Sequence, residues 1–271
     1  MQHKIFLQNG YLNQKFQVDL DFVKFADYIK KLQLPLNSAT EEKKGYSNNV
    51  FNIIDKKNKN FIENFANEFK KRNNFIDKVL ISPRLLDIGI FKSYYNEDVV
   101  KDPTHAMLWH RDLDDFFPQV KVFLPLHKID ARNGTLHYAN KNICKENVTL
   151  IDDELLKSLN KEDEYRYTNN VRVSNTTFLK YFKESIREFK GDIGDCLFID
   201  SNNCYHRGGQ VLEKNLQRNM LVLYFGGITH VGNDFSKYNF FEKSFYQLLK
   251  LWFRIKHKAL GGPRAIKINL K

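Results

Sequence analysis

Cysteine is scarce: Cys144, Cys196 and Cys204 are an odd number, and no two of them form a C-x-x-C pair. A disulfide framework and a cysteine-based zinc finger are excluded, and a reducing cytoplasmic setting is the expectation. Long apolar runs are missing too. No segment approaches the roughly 18 apolar residues of a spanning helix, and the opening MQHKIFLQNGYLNQKFQ interrupts its apolar residues too often for a secretory leader. Neither insertion in a membrane nor export is therefore expected. There is no nucleophile elbow, Walker loop or dinucleotide fingerprint, because GGITH and GGQV lack the required spacing. No repeat of solenoid length occurs. The formal charge is +11, yet the lysines are dispersed, and no basic stripe with interleaved aromatics suggests nucleic acid.

What is present is apolar material for one sizeable core. Across 271 residues, 42% are hydrophobic and 14% aromatic, which fits a single domain spanning 1–271. Residues 1–78 read as helical support. In DFVKFADYIKKL, Phe22, Phe25, Ala26, Ile29 and Leu32 recur at helical spacing while Lys24, Asp27, Lys30 and Lys31 face away; Pro35 closes the segment. A second helical pattern follows around FIENFANEFKKR, carried by Phe61, Phe65 and Phe69. These two helices are expected to precede the first strand.

From about residue 79 the period changes to two. The segments VLISPRLL, DIGIFKSYY, VKVFLPLH, GTLHYA, DCLFID and NMLVLYF are short, rich in Val, Ile, Leu, Phe and Tyr, and separated by turn residues such as Asn133-Gly134. They predict a barrel or sandwich over 79–230. A polar insertion over 140–190, holding IDDELLKSL and the charged NKEDEYRY, interrupts it and reads as a lid. Residues 231–271 read as a C-terminal helix and tail. The helix carries an apolar stripe of Phe241, Phe245, Leu248, Leu249, Trp252 and Ile255 that packs on the sheet or touches an anionic membrane surface.

The chemistry concentrates in Trp109-His110-Arg111-Asp112. On a strand, residues i and i+2 point the same way, so an imidazole and a carboxylate can converge on one metal ion. His206 lies 94 positions beyond Asp112, directly before Arg207-Gly208-Gly209. Two histidines and one carboxylate leave coordination positions open, the arrangement that nonhaem Fe(II) oxygenases use for dioxygen and a bidentate cosubstrate. Arg218, 12 residues after His206, heads the strand RNMLVLYF, from which a guanidinium can grip a carboxylate through two parallel hydrogen bonds. The far end of 2-oxoglutarate needs such a partner.

These segments resemble the phytanoyl-CoA dioxygenase family of Fe(II)/2-oxoglutarate oxygenases. WHRD is similar to its H-x-D motif, DARNGTLHY to its N-G-x-L segment, GDIGDCLFIDSNNCYHRGG to its distal histidine block and QRNMLVLYF to its arginine strand, in the same order from about Leu80 to Phe225. The resemblance implies a mainly β fold with flanking helices: a double-stranded β-helix, the cupin-like jelly roll. It implies that His110, Asp112 and His206 hold Fe(II), that Arg218 holds 2-oxoglutarate, and that Thr135 and Phe123 touch this cosubstrate. The chain departs from the family after N-G-x-L, where Tyr138-Ala139-Asn140-Lys141-Asn142 replaces a P-G-S-H loop, and at Gly208, often serine in relatives. Asp112 occupies the place where halogenating relatives carry a small residue, so the resemblance favours hydroxylation with O2, releasing succinate and CO2, while desaturation, epimerisation and ring closure begin with the same step and stay open.

Specificity is expected from the strand residues Ile90, Lys92 and Tyr94, from the mouth loop with His105, and from the insertion. The positive charge suits an anionic small molecule: a nucleotide sugar, a phosphorylated metabolite or an acyl thioester. Two other readings use the same residues. One is a noncatalytic or zinc-binding jelly-roll sensor; the other is a protein-directed 2-oxoglutarate oxygenase. Arg218 separates the sensor from the oxygenases, since a sensor needs no carboxylate clamp opposite the metal.

Overall fold

The computed structural model describes residues 2–31, 48–50, 56–101, 103, 105–112, 118–141 and 172–227, together with Ser244 and Leu248. Helix α1 (Gln2–Asn9) leads into strand β1 (Tyr11–Lys15) and helix α2 (Leu20–Lys31), followed by β2 (Asn48–Val50), α3 (Lys56–Arg72) and α4 (Phe75–Val79). Asp19 starts α2 by accepting a hydrogen bond from the Phe22 amide at 2.8 Å. The predicted stripe of Phe22, Phe25, Ala26 and Ile29 is the face that α2 buries.

The expectation of two helices before any strand is corrected. α1 and β1 come first, and β1 pairs antiparallel with β7 (Asp195–Asp200) at the rim of a sheet. Its residues YLNQK bury little beyond Leu12, so the hydrophobic period is faint. Backbone bonding to β7 and the edge contact of Tyr11 with Tyr138, at 4.7 Å between ring centroids, hold it instead.

The remaining strands are β3 (Arg84–Tyr94), β4 (Gln119–Pro125), β5 (Leu136–Ala139), β6 (Ile186–Phe189), β8 (His206–Gly208) and β9 (Gln217–Gly226). They form a six-stranded sheet in the order β1-β7-β4-β9-β3-β2 and a three-stranded sheet in the order β6-β5-β8. The pairing is antiparallel throughout, as a jelly roll requires. The large sheet buries both faces. Ile88, Ile90, Val120, Val122, Leu124, Phe198, Leu221, Leu223 and Phe225 pack outward against α1 to α4. Phe123, Leu197, Ile199, Met220 and Val222 point inward and meet Leu136, Tyr138 and Phe189 from the small sheet. Each such apolar side chain contributes about 1.5–3 kcal/mol on burial.

Within the expected insertion of 140–190, residues 186–189 belong to the small sheet. Helix α6 (α5 being Glu97–Lys101) covers Asn175–Phe182, is capped by Ser174 accepting from the Thr177 amide at 3.1 Å, and leads into β6 of the small sheet. A third cluster forms where α6 covers that sheet, with Phe178 stacked on Trp109 at 3.9 Å. The segments IDDELLKSL and NKEDEYRY, read as a lid, lie outside the described residues. So does the C-terminal helix, apart from Ser244 and Leu248.

Candidate metal centre

The candidate metal ligands His110, Asp112 and His206 sit where the two sheets are tied together. His110 and His206 exchange backbone hydrogen bonds, His110 N–H to the His206 carbonyl at 3.0 Å and the reverse at 2.9 Å, which adds His110 to the edge of β8. Trp109, fully buried, bridges to Val173 on its other side and donates its indole N–H to Asn175 at 3.1 Å. Asp112 lies past the bridge. Its amide donates to the Ser201 carbonyl at 2.9 Å, and its carbonyl accepts from the Asn202 side chain at 2.8 Å. Asn202 in turn accepts from the Gln119 amide at 2.7 Å, so one side chain clasps Asp112 to the head of β4. His110 and Asp112 therefore share a face as the H-x-D spacing predicts, although a bridge and a clasp hold them in place of a regular strand.

One donor atom each from His110, Asp112 and His206 lie within 4.8 Å of one another. The ring Nδ1 of His110 is 2.8 Å from the Leu108 carbonyl, and that of His206 is 3.1 Å from the Cys204 carbonyl. A carbonyl only accepts, so each Nδ1 carries a proton and each Nε2 is the ring nitrogen left to face a metal. Burial, followed by the charge of His206, holds the His110 imidazole well below its usual pKa and therefore neutral. Burial would raise the Asp112 carboxyl, but Lys121 and the two imidazoles outweigh it and hold the group well below the carboxylate range. Two imidazoles and one carboxylate are a donor set that fits a divalent first-row ion with open positions.

Arg218 begins β9 on the inner face and is buried. Its guanidinium donates to the carbonyls of Gly134 and Gly209 at 3.0 and 2.9 Å and to the Ser93 hydroxyl at 3.0 Å, while Nε has no partner among the described residues. Burial lowers its pKa to about 10, still a cation at neutral pH. Gly208 has a direct physical reason here. A Cβ at that position would lie 2.9 Å from a terminal nitrogen of Arg218, so the guanidinium occupies the space where a serine would begin. A hydroxyl is nevertheless present, supplied across the barrel by Ser93. Gly209 allows the other close approach: a Cβ there would meet the Thr135 carbonyl at 2.3 Å.

Phe123 lies on the inner face, two residues beyond Lys121. Thr135 is buried, with its hydroxyl 3.5 Å from His137 and its carbonyl accepting from Gly209; its side chain is directed to His137. The specificity residues expected on β3 are corrected by parity. Ile90 packs in the outer core, and Lys92 donates to the Ile29 carbonyl of α2 at 2.9 Å, its ammonium lowered to about pKa 8 by burial. The alternate residues face inward: Phe91 packs against the inner core and Ser93 reaches Arg218. Tyr94, like Ile90 and Lys92, is of the opposite parity to Ser93. His105 falls in a 3-10 turn, His105–Met107, and its side chain lies outside the described residues.

Sequence reasoning missed Lys121. Its ammonium is 2.7 Å from an Asp112 oxygen that also lies 3.3 Å from His206 Nε2. The signal was available: in VKVFLP a lysine takes an inward position of a strand buried on both faces.

No protein-family profile and no curated protein matches the chain. Solved structures do. The epimerase SnoN in complex with Fe3+, alpha ketoglutarate and nogalamycin RO superposes with a TM-score of 0.55 at 11% identity, over 84% of this chain and 83% of that one. HygX from Streptomyces hygroscopicus, with nickel and 2-oxoglutarate bound, gives 0.53 at 12% identity over 83% and 86%. EctD from S. alaskensis, with 2-oxoglutarate and 5-hydroxyectoine, gives 0.53 at 13% identity over 84% and 75%. The fold is thus the jelly roll shared by these enzymes.

Proposed function

We propose that the chain is an Fe(II)- and 2-oxoglutarate-dependent dioxygenase, related to the phytanoyl-CoA dioxygenase family, that hydroxylates an anionic small molecule. The observation that carries this reading is the pairing of a His-Asp-His donor set with a buried arginine on the inner face of one jelly roll. The three superposed structures bear metal or 2-oxoglutarate by their own descriptions, which agrees with it.

In this reading His110, Asp112 and His206 hold iron, Arg218 takes the distal carboxylate of 2-oxoglutarate, and Phe123 and Thr135 flank that cosubstrate. With dioxygen, the bound iron and 2-oxoglutarate supply an oxidant able to remove a hydrogen atom from an unactivated C–H bond, with succinate and CO2 as coproducts. The chain orients and shields. Locked Nδ1 protons point both imidazoles inward, the Asn202 clasp fixes Asp112, and Phe123, Leu136, Met220 and Val222 form an apolar wall that excludes water. Ser93 and the two carbonyls fix the orientation of the guanidinium before any carboxylate arrives.

The test is succinate release from 2-oxoglutarate with Fe(II) and O2 over a panel of nucleotide sugars, phosphorylated metabolites, acyl thioesters and peptides. Stimulation by an anionic small molecule supports the reading. Stimulation by peptides alone assigns a protein substrate, and absence of metal-dependent 2-oxoglutarate binding refutes an oxygenase.

A further inference from the structure

Lys121 stands out because it brings a second cation to the metal centre. It lies on the inner face of β4, paired across the sheet with Tyr224, whose ring centroid is 4.9 Å from the ammonium. The ion pair with Asp112 is well shielded, with side-chain exposures of 12% and 18%. An ammonium has three donors, and a single carboxylate oxygen occupies at most one of them. Among the described residues, Asp112 and the Tyr224 ring are its partners. Among the described residues, protein groups thus leave donors of a half-buried cation unfilled beside the Asp112 carboxylate, an arrangement that favours an acceptor brought from outside.

We propose that Lys121 is a positioning residue that shares Asp112 with the metal and biases the open coordination positions toward an anionic occupant. The proposal rests on the oxygenase reading and adds a role for a residue outside the triad. Lys121 holds the Asp112 oxygen that faces His206 Nε2, so a metal ion there meets a carboxylate whose charge is shared with the ammonium. The same ammonium opposes the metal charge, which weakens divalent-ion binding, and attracts a carboxylate or phosphate group carried by a molecule at the metal. Lys121 and Arg218 bring two positive charges to the inner face of the barrel, and among the described residues Asp112 is the carboxylate in contact with them. An anionic guest is the complement of that excess.

A role in charge balance has a signature that simple packing lacks: opposite shifts for cation and anion. Mn(II) binding, and then N-oxalylglycine binding to the Mn(II)-loaded protein, are measured by calorimetry on the full chain, its Lys121→Met and Lys121→Arg variants, and His206→Ala. Lys121→Met is expected to bind Mn(II) about tenfold more tightly and N-oxalylglycine about tenfold more weakly. Lys121→Arg keeps the charge and stays within about threefold of the parent for both. The proposal is overturned if Lys121→Met weakens both ligands or leaves Mn(II) affinity unchanged. If Lys121→Met fails to fold, Lys121→Arg decides: a tenfold change in its Mn(II) affinity contradicts a charge-based role. Mn(II) affinity that is undiminished in His206→Ala would instead remove the metal centre itself, and both readings with it.

Discussion

At the scale of single residues, the site depends on groups whose protonation and orientation are set by neighbours. Arg218 is the clearest case, since two carbonyls and Ser93 fix its orientation. Arg218→Ala is expected to weaken 2-oxoglutarate binding to metal-loaded protein by about 2–5 kcal/mol, measured by calorimetry, because it removes one partner of a desolvated charge pair. Gly208→Ser should weaken the same binding with the fold intact, since its Cβ would press on the guanidinium at 2.9 Å. His137 supplies a pH prediction. Burial lowers its pKa to about 4 from 6.5, so the unfolded chain takes up a proton between those values and the native one does not. Stability is therefore retained above pH 6.5 and falls as pH drops toward 4, by on the order of 2–3 kcal/mol. Urea midpoints at pH 7.5 and 5 check it: His137→Gln should lose less on acidification than the parent. The convergence of His110, Asp112 and His206 was legible because an H-x-D pair and a distal histidine in that order carry a chemical requirement. Ser93 and Lys121 were not, because their roles arise from strands that meet only in three dimensions.

At the scale of elements, β3 shows what a one-residue difference in parity does. Sequence alternation identified the strand but not which of its faces looks inward, since both faces are apolar and buried. Pairing with β9 decides it, setting Ser93 opposite Arg218 and sending Ile90 to the helices. Ile90→Ala should accordingly cost about 2–5 kcal/mol in urea unfolding while leaving 2-oxoglutarate affinity unchanged. A change in affinity without loss of stability would contradict this register. The strand β1 was hidden for a different reason: an edge strand is held by backbone bonds, which leave little trace in side-chain pattern. Its junction is reinforced by Lys141, whose ammonium meets the fully buried Asp200 carboxylate at 2.8 Å. Asp200 also receives the Asn203 side chain, and its amide donates to the Gly10 carbonyl, so this ion pair anchors the turn that presents His206. Asp200→Leu should destabilise by about 3–5 kcal/mol because it strands a buried ammonium, and adding Lys141→Met should recover much of that loss.

At the scale of the molecule, two sheets enclose one lined interior, and helices cover the outside of the larger sheet. Strand density, turn residues and the order of motifs made this architecture readable from residue 79 onward, while the N-terminal strand and the place of residues 186–189 in the small sheet come from pairing. The central claim is that three metal-binding side chains and one arginine form a single site for a metal and a dicarboxylate. Calorimetric titration of 2-oxoglutarate into the protein, with and without Mn(II), tests it most directly. Binding that requires Mn(II), and is lost in both His206→Ala and Arg218→Ala, is the predicted result. Binding that is indifferent to the metal, or equally strong without Arg218, would contradict it.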